Sequence, residues 1–119
     1  MFTYRADGSF IILTTDGKAT LGERQAVFKA IRSDPNVPSG AFLIIDLRHF
    51  DVRLTQAELQ DRVRTLLESL TEKIGIACAV IVGGASLRMG MSLQLIAGNM
   101  NFKVGVFHDE QSARQWLAP

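Results

Sequence analysis

The chain has 119 residues, of which 47% are hydrophobic and 21% charged, and its formal net charge is +1. This length suits a single domain, residues 1–119, that can bury a core without disulfides or a structural metal. The apolar content excludes a wholly disordered chain, and the near-neutral charge argues against a nucleic-acid partner, which usually meets a basic surface.

The first predicted elements are two short strands joined by a tight turn. Residues 2–4 and 10–13 are apolar or β-prone, and Asp7 and Gly8 lie between them. An Asp-Gly pair tolerates the positive φ angles that a two-residue hairpin turn requires. We therefore expect the first two strands to be antiparallel.

Two capping boxes predict where the first two helices begin. In each, a threonine precedes a glutamate by three residues, so that each side chain can satisfy a free backbone amide. These pairs are Thr20 with Glu23, and Thr55 with Glu58. The expected apolar face of the first helix comprises Ala26, Val27, Ala30 and Ile31. In the second helix, apolar residues repeat at helical spacing at Leu59, Val63, Leu66, Leu67 and Leu70. The charged side chains expected on its other sides include Arg62 and Arg64.

The remaining strands are predicted at residues 42–45, 76–82 and 103–107. The first two are continuous apolar runs, which fit strands covered on both faces, and residues 76–82 suit the centre of the sheet. A glycine-rich loop then opens a third helix, whose expected lining residues are Met89, Leu93, Ile96 and Met100. Asp109 caps a short final helix that carries Ala113, Trp116 and Leu117.

This order of elements predicts an α/β fold. Strands that alternate with helices pair in parallel through right-handed crossovers. We expect a single-layer, mostly parallel sheet of five strands, with an antiparallel N-terminal hairpin strand and four helices. The sequence leaves the strand order open. A strictly sequential order would put the helices mostly on one face and leave the other face for a partner.

Sites in open parallel sheets form beyond the carboxyl ends of the strands. The loop after residue 82 contains Gly83, Gly84 and Ser86, and Arg88 follows it. Free amides at the start of a helix, together with an arginine, could hold an anion or face a partner. The alternative is that the glycines turn the chain and Ser86 caps the helix, since neither Walker A nor GxGxxG is present.

The loop after the predicted strand 42–45 carries Asp46, Arg48 and His49. A carboxylate beside a histidine could perform acid–base chemistry, which makes a small enzyme one hypothesis. The alternative is an Asp–Arg pair that ties the end of the strand to a neighbouring loop. Cys78 lies in the middle of a strand, where we expect inert packing. His49 and His108 lack metal-ligand spacing, and no cofactor is expected.

The third predicted helix is apolar on more than one face, with Met89, Met91, Leu93, Leu95, Ile96 and Met100. Methionine-rich surfaces adapt to varied apolar partners. One hypothesis is therefore an apolar or lipid-like ligand beneath this helix. The alternative is packing within the fold or in a dimer, because a helix that is apolar all round is usually buried. The apolar excess of this helix and an open sheet face also predict a homodimer.

The cysteine content and the apolar runs bear on the compartment. A lone cysteine cannot form an intramolecular disulfide, which suits a reducing cytoplasm. The first residues lack the layout of a signal peptide, and no apolar run approaches the ~20 residues of a membrane helix. We expect a cytoplasmic protein without an integral membrane segment.

Four segments together carry a resemblance to a known family. They are residues 17–20 (GKAT), 43–48 (LIIDLR), 88–89 (RM) and 106–117 (VFHDEQSARQWL). In this order, and over nearly the whole chain, they resemble the SpoIIAA-like proteins. This bacterial family has the STAS fold, named for sulfate transporters and anti-sigma factor antagonists.

Because the α/β pattern is complete and no catalytic set is assembled, the leading hypothesis is a non-enzymatic, STAS-like module that binds a protein partner, in a regulatory role, or a small ligand. Some relatives are likened to lipid-binding SEC14 domains, which implies an apolar ligand as the alternative. Anti-sigma factor antagonists are switched by phosphorylation of a serine in an Asp-Ser motif at the start of the second helix. In this sequence Thr55 is the nearest match, and the Asp-Ser pair itself is missing.

Overall fold

The computed structural model describes the backbone of residues 1–119 and every side chain except that of Ile76. Over this backbone the strands are β1 (Phe2–Asp7), β2 (Phe10–Thr15), β3 (Ala41–Asp46), β4 (Ile74–Ile81) and β5 (Lys103–Phe107). The helices are α1 (Leu21–Ser33), α2 (Gln56–Leu70), α3 (Leu87–Gly98) and α4 (Glu110–Leu117). A short 3₁₀ turn, Gly84–Ser86, precedes α3.

The strands form one sheet in the sequential order β1-β2-β3-β4-β5. β1 is antiparallel to β2, and the turn between them places Gly8 at a φ of +59°. The pairs β2–β3, β3–β4 and β4–β5 are all parallel. The predicted α/β fold, with its antiparallel N-terminal strand and four helices, is confirmed over the described backbone.

The strand order decides which face of the sheet each helix covers. Each crossover connects a strand to the next strand in the same direction across the sheet. Because parallel crossovers are right-handed, α1, α2 and α3 then lie on the same face. The main core lies there, where sheet residues such as Leu43 and Val80 join Ile31, Val63 and Ile96 of the helices. We call this the helical face.

The opposite face is covered by α4, which follows the last strand and folds back across the sheet. A smaller apolar cluster lies there, in which Ile44 and Ile81 of the sheet pack with Ala113, and Trp116 borders them. Helix α4 contacts β3, β4 and β5. The face that the sequential order was expected to leave open is therefore covered over these three strands.

The predicted apolar face of α1 was wrong in part. Ala26 and Ala30 are exposed, whereas Phe28 is buried beside Ile31. A buried phenyl ring removes far more apolar area from water than two methyl groups do, and this difference sets the rotation of the helix. Spacing alone did not rank Phe28 above the alanines.

Both predicted capping boxes are present. The Thr20 and Thr55 hydroxyls accept hydrogen bonds from the amides of Glu23 and Glu58, at 3.2 and 3.1 Å. Each glutamate carboxylate in turn accepts from the amide of its threonine, at 3.0 Å. These reciprocal bonds fix where α1 and α2 begin, and so set the positions of both helices on the helical face.

Candidate ligand-binding site

Asp46 and Arg48 form a close ion pair at the carboxyl end of β3. One carboxylate oxygen of Asp46 accepts from the backbone amide and from Nε of Arg48, each at 3.0 Å. The other accepts from Nη2 at 2.7 Å. Burial alone raises the pKa of the Asp46 carboxyl, but the hydrogen bonds and charge of Arg48 outweigh it and hold the pKa below its usual range.

This pairing bears on the acid–base hypothesis for the same loop. Both oxygens of the Asp46 carboxylate face Arg48, and none of the hydrogen bonds among the described side chains joins Asp46 to His49. His49 is exposed to solvent. The geometry therefore corresponds to the ion-pair alternative at the end of the strand, and it provides no oriented imidazole beside the carboxylate.

The glycine loop packs directly against the loop that contains Arg48. A Cβ atom on Gly83 would lie 3.5 Å from the carbonyl oxygen of Arg48. Ser86 is buried, and its hydroxyl accepts a hydrogen bond from the Gly83 amide at 3.0 Å. Ser86 makes no side-chain bond to the first turn of α3, and Arg88 is exposed. The serine thus braces its own loop.

A surface groove of about 820 Å³ runs between the segment 50–56 and α3. It is lined by Ser86 and Arg88, together with Arg53 and apolar residues such as Leu95. Asp46, Arg48, Gly83 and Gly84 are not among its lining residues. Of the six residues expected to meet a ligand or partner, the groove therefore brings together two.

A second, mostly apolar cavity of about 90 Å³ lies between α1, α2, α3 and the sheet. Its walls are aliphatic and aromatic side chains, among them Leu13, Ile45, Phe28, Val63, Leu93 and Ala97. The cavity shares Phe50, Leu54, Leu59 and Met89 with the groove, so the two spaces adjoin. A dry pocket beneath the third helix is what the apolar-ligand hypothesis requires.

The polar residues of this cavity are Thr15, Arg24 and Arg62. The Arg24 guanidinium donates to the carbonyl of Ala19 at 2.8 Å, and that of Arg62 to the carbonyl of Gly17 at 3.1 Å. Both acceptors lie in the loop between β2 and α1. The polar groups are therefore at the carboxyl end of the strands, where parallel sheets bind ligands.

Burial lowers the pKa of the Arg62 guanidinium, and the positive charge of Arg24 lowers it further. The negative charge of Glu58 raises the pKa of Arg62. None of the described ion pairs includes Arg24 or Arg62. The end of the cavity therefore holds two neighbouring cations whose described hydrogen bonds go to backbone carbonyls.

Sequence patterns did not identify these two arginines. Arg62 was expected on the polar side of its helix, although it follows Leu59 by three residues and precedes Val63. Arg24 precedes Phe28 by four residues, so both share one side of α1. Helical spacing from a buried residue could have indicated both arginines. For Arg24 this requires knowing that Phe28 lies on the buried face of α1.

Cys78 also lines the cavity, and burial raises the pKa of its thiol to about 12. A thiol with so high a pKa is almost entirely protonated near neutral pH, which suits the inert packing expected for it. Among the described residues there is no group of three or more His, Cys, Asp or Glu side chains arranged to hold a metal ion.

Thr55 is exposed, and its hydroxyl oxygen accepts from the amide of Glu58 as part of the cap of α2. Phosphorylation of Thr55 remains a prediction. No helix in the described part of the chain has the length and hydropathy to cross a membrane. Comparison with protein-family models, with curated proteins and with solved structures finds no match to the chain.

Proposed function

We propose that the chain is a non-enzymatic, STAS-like binding module of the cytoplasm that holds a small apolar ligand. The observation that carries this proposal is the cavity beneath α1, α2 and α3. Its walls are mostly apolar, and its three polar residues, Thr15, Arg24 and Arg62, all bond to backbone groups of the loop between β2 and α1. Small-molecule sites in proteins typically combine an apolar lining with a few placed polar groups.

The size of the cavity limits the ligand. Its volume is about 90 Å³. An engineered protein cavity of about 150 Å³ stays dry and binds benzene. The apolar part of a ligand that stays within the cavity is therefore about the size of a benzene ring or smaller, and a longer tail continues past Phe50 and Met89 into the adjoining groove.

The test uses benzene and xenon as neutral apolar probes. Either probe should raise the thermal midpoint of the native chain, because a ligand that binds only the folded state stabilises it. Ala97→Leu should fill the cavity and abolish the rise, since Ala97 lines the cavity and is 1% exposed. Ala57→Leu, at an exposed position of α2, is the matched control and should keep the rise.

Two results would overturn the proposal. One is a native chain whose methyl resonances and thermal midpoint respond to neither probe. The other is an Ala97→Leu chain that has a folded circular dichroism spectrum and responds to both probes as strongly as the native chain. In the second case the probes would occupy some other place.

A second proposal concerns a protein partner, and the outer side of α3 favours it. Leu87, Met91 and Leu95 follow one another at intervals of four and are 38%, 55% and 73% exposed. Residues at this spacing form a ridge along a helix, and such ridges pack between helices. We call these three residues the α3 ridge and propose that it packs against the same ridge of a second copy.

The low charge of α3 supports self-association. Arg88 is the sole charged residue of the twelve in this helix. Two such helices can approach in antiparallel fashion with little like-charge repulsion, and one self-complementary patch is sufficient for a two-fold dimer. In that arrangement Arg88, beside the ridge and on the wall of the groove, is the proposed polar contact to the partner or to an anionic group.

A further inference from the structure

The cavity beneath α1, α2 and α3 differs markedly between its two ends. Its body is formed by aliphatic and aromatic side chains of the sheet and the helices, whereas Thr15, Arg24 and Arg62 all bond to the loop after β2, which marks one end. These three residues come from β2, α1 and α2. An apolar body with a cationic end is complementary to a molecule that has an apolar tail and an anionic head.

Arg24 and Arg62 differ from the other arginines of the chain in their burial and in their ion pairing. Carboxylate partners are described for Arg5, Arg48, Arg64 and Arg114. Three more arginines without a described ion pair are exposed to water: Arg32, Arg53 and Arg88. Arg24 and Arg62 are half-buried and lie at a cavity instead.

Hydrogen-bonding capacity remains at this end of the cavity. A guanidinium has five N–H donors, and one described bond, to a backbone carbonyl, uses a single donor of each arginine. The Thr15 hydroxyl oxygen accepts from the Gly17 amide at 2.9 Å, so its own hydrogen can be donated to a ligand. Glu58 is the nearby acid, and its carboxylate is bonded to the amide of Thr55.

We infer that the ligand of the cavity is a monocarboxylate with a short apolar tail, its carboxylate held by Arg24, Arg62 and Thr15. This inference rests on the proposed function, because it assigns a chemical class to the ligand of the same cavity. A planar carboxylate matches the fork of a guanidinium in two parallel hydrogen bonds. Its negative charge relieves the repulsion between the two arginines, and the small volume restricts the tail.

The experiment compares hexanoate with 1-hexanol, which have the same number of carbons and differ in the head group. Calorimetric titration is carried out on the native chain, on Arg62→Met and on Arg64→Met. Methionine keeps an apolar stem but removes the charge. Arg64 lies on the same helix, is exposed and pairs with Asp61, so its substitution is the matched control.

The native chain should bind hexanoate about tenfold more tightly than 1-hexanol, as charge-assisted hydrogen bonds predict. Arg62→Met should lose about this factor for hexanoate and keep its affinity for 1-hexanol. Arg64→Met should bind both probes as the native chain does. If Arg62→Met fails to fold by circular dichroism, Arg24→Met replaces it with the same expectation.

The outcomes separate the two proposals. If the native chain binds neither probe and also ignores benzene and xenon, the proposed function fails and the inference fails with it. Equal affinities for hexanoate and 1-hexanol, or an Arg62→Met chain that keeps the preference for hexanoate, would overturn the inference alone. In that case the cavity would remain an apolar site without a charged anchor.

Discussion

Asp46 and Arg48 illustrate how a charged loop at the edge of a parallel sheet can serve the fold. Two charged residues in that loop suggested chemistry. In the structure their charges neutralise each other, because three hydrogen bonds join Arg48 to the Asp46 carboxylate. The Asp46 side chain is 10% exposed and that of Arg48 is 46% exposed, so solvent screens the pair from one side.

Asp46→Asn should lower the free energy of unfolding by about 1–3 kcal/mol near neutral pH, because charge-assisted hydrogen bonds between a buried carboxylate and a partly exposed guanidinium are lost. Urea denaturation measures this difference. Asp61→Asn is the control. Its pair with Arg64 spans 3.5 Å between two exposed side chains, and its removal should cost less than about 1 kcal/mol.

The same substitution has a predictable pH dependence. The pKa of Asp46 is lower in the folded chain than the unfolded value of about 3.9, so the ion pair stabilises the fold above that value. This stabilisation is lost as the pH falls through the folded pKa. The difference between the native chain and Asp46→Asn should therefore disappear in acid. A difference that stays constant down to the acid limit would contradict the assigned role of Arg48.

At the scale of the elements, Gly90 shows how closely α3 approaches the sheet. A Cβ atom at this position would lie 2.7 Å from Cγ1 of Val82 and 3.3 Å from Cγ1 of Val106. Both neighbours are β-branched and stiff at χ1. A glycine in the interior of a helix usually costs stability, so its presence here reflects close packing.

Gly90→Ala should therefore destabilise the chain by about 1–2 kcal/mol, because overpacking exceeds the gain of about 1 kcal/mol in helix propensity. Gly98→Ala in the same helix is the matched control. Nothing lies within 4 Å of a Cβ there, and the substitution should be neutral or stabilising. Thermal unfolding of both variants measures the effect, and two variants of equal stability would contradict the close packing of α3.

The elements also show which features sequence patterns can predict. Capping hydrogen bonds and apolar runs act locally. The capping boxes at Thr20 and Thr55 therefore predicted where α1 and α2 begin, and the apolar run at residues 42–45 predicted β3. The cavity, by contrast, arises where side chains of α1, α2 and α3 fail to fill the space above β2–β5. The unfilled space depends on side-chain volumes and on the rotation of each helix, and the apolar periodicity of the sequence does not predict it. Arg24 and Arg62 could not be singled out before the helices were oriented.

At the scale of the whole molecule, ion pairs join β1 to α4 on the sheet face opposite α1, α2 and α3. Arg5 pairs with Glu110 at 2.8 Å, and Arg114 pairs with Asp7 at 2.7 Å. The Arg114 guanidinium also lies 4.6 Å from the centre of the Phe10 ring. Together with α4, these contacts tie β1 and β2 to the rest of the face, so a partner copy is not needed there. The α3 ridge is the more suitable surface for association.

The proposed homodimer therefore depends on the α3 ridge. Sedimentation equilibrium of the native chain should give twice the 13.1 kDa mass of the monomer. Leu95→Lys should give the monomer, because an unpaired charge inside an apolar interface costs more than the contact returns. Leu21→Lys changes an exposed leucine on α1, outside the ridge, and should leave the dimer intact. A native chain that stays monomeric at high concentration would refute the dimer. Dimers of unchanged stability with Leu95→Lys would assign the interface to another surface.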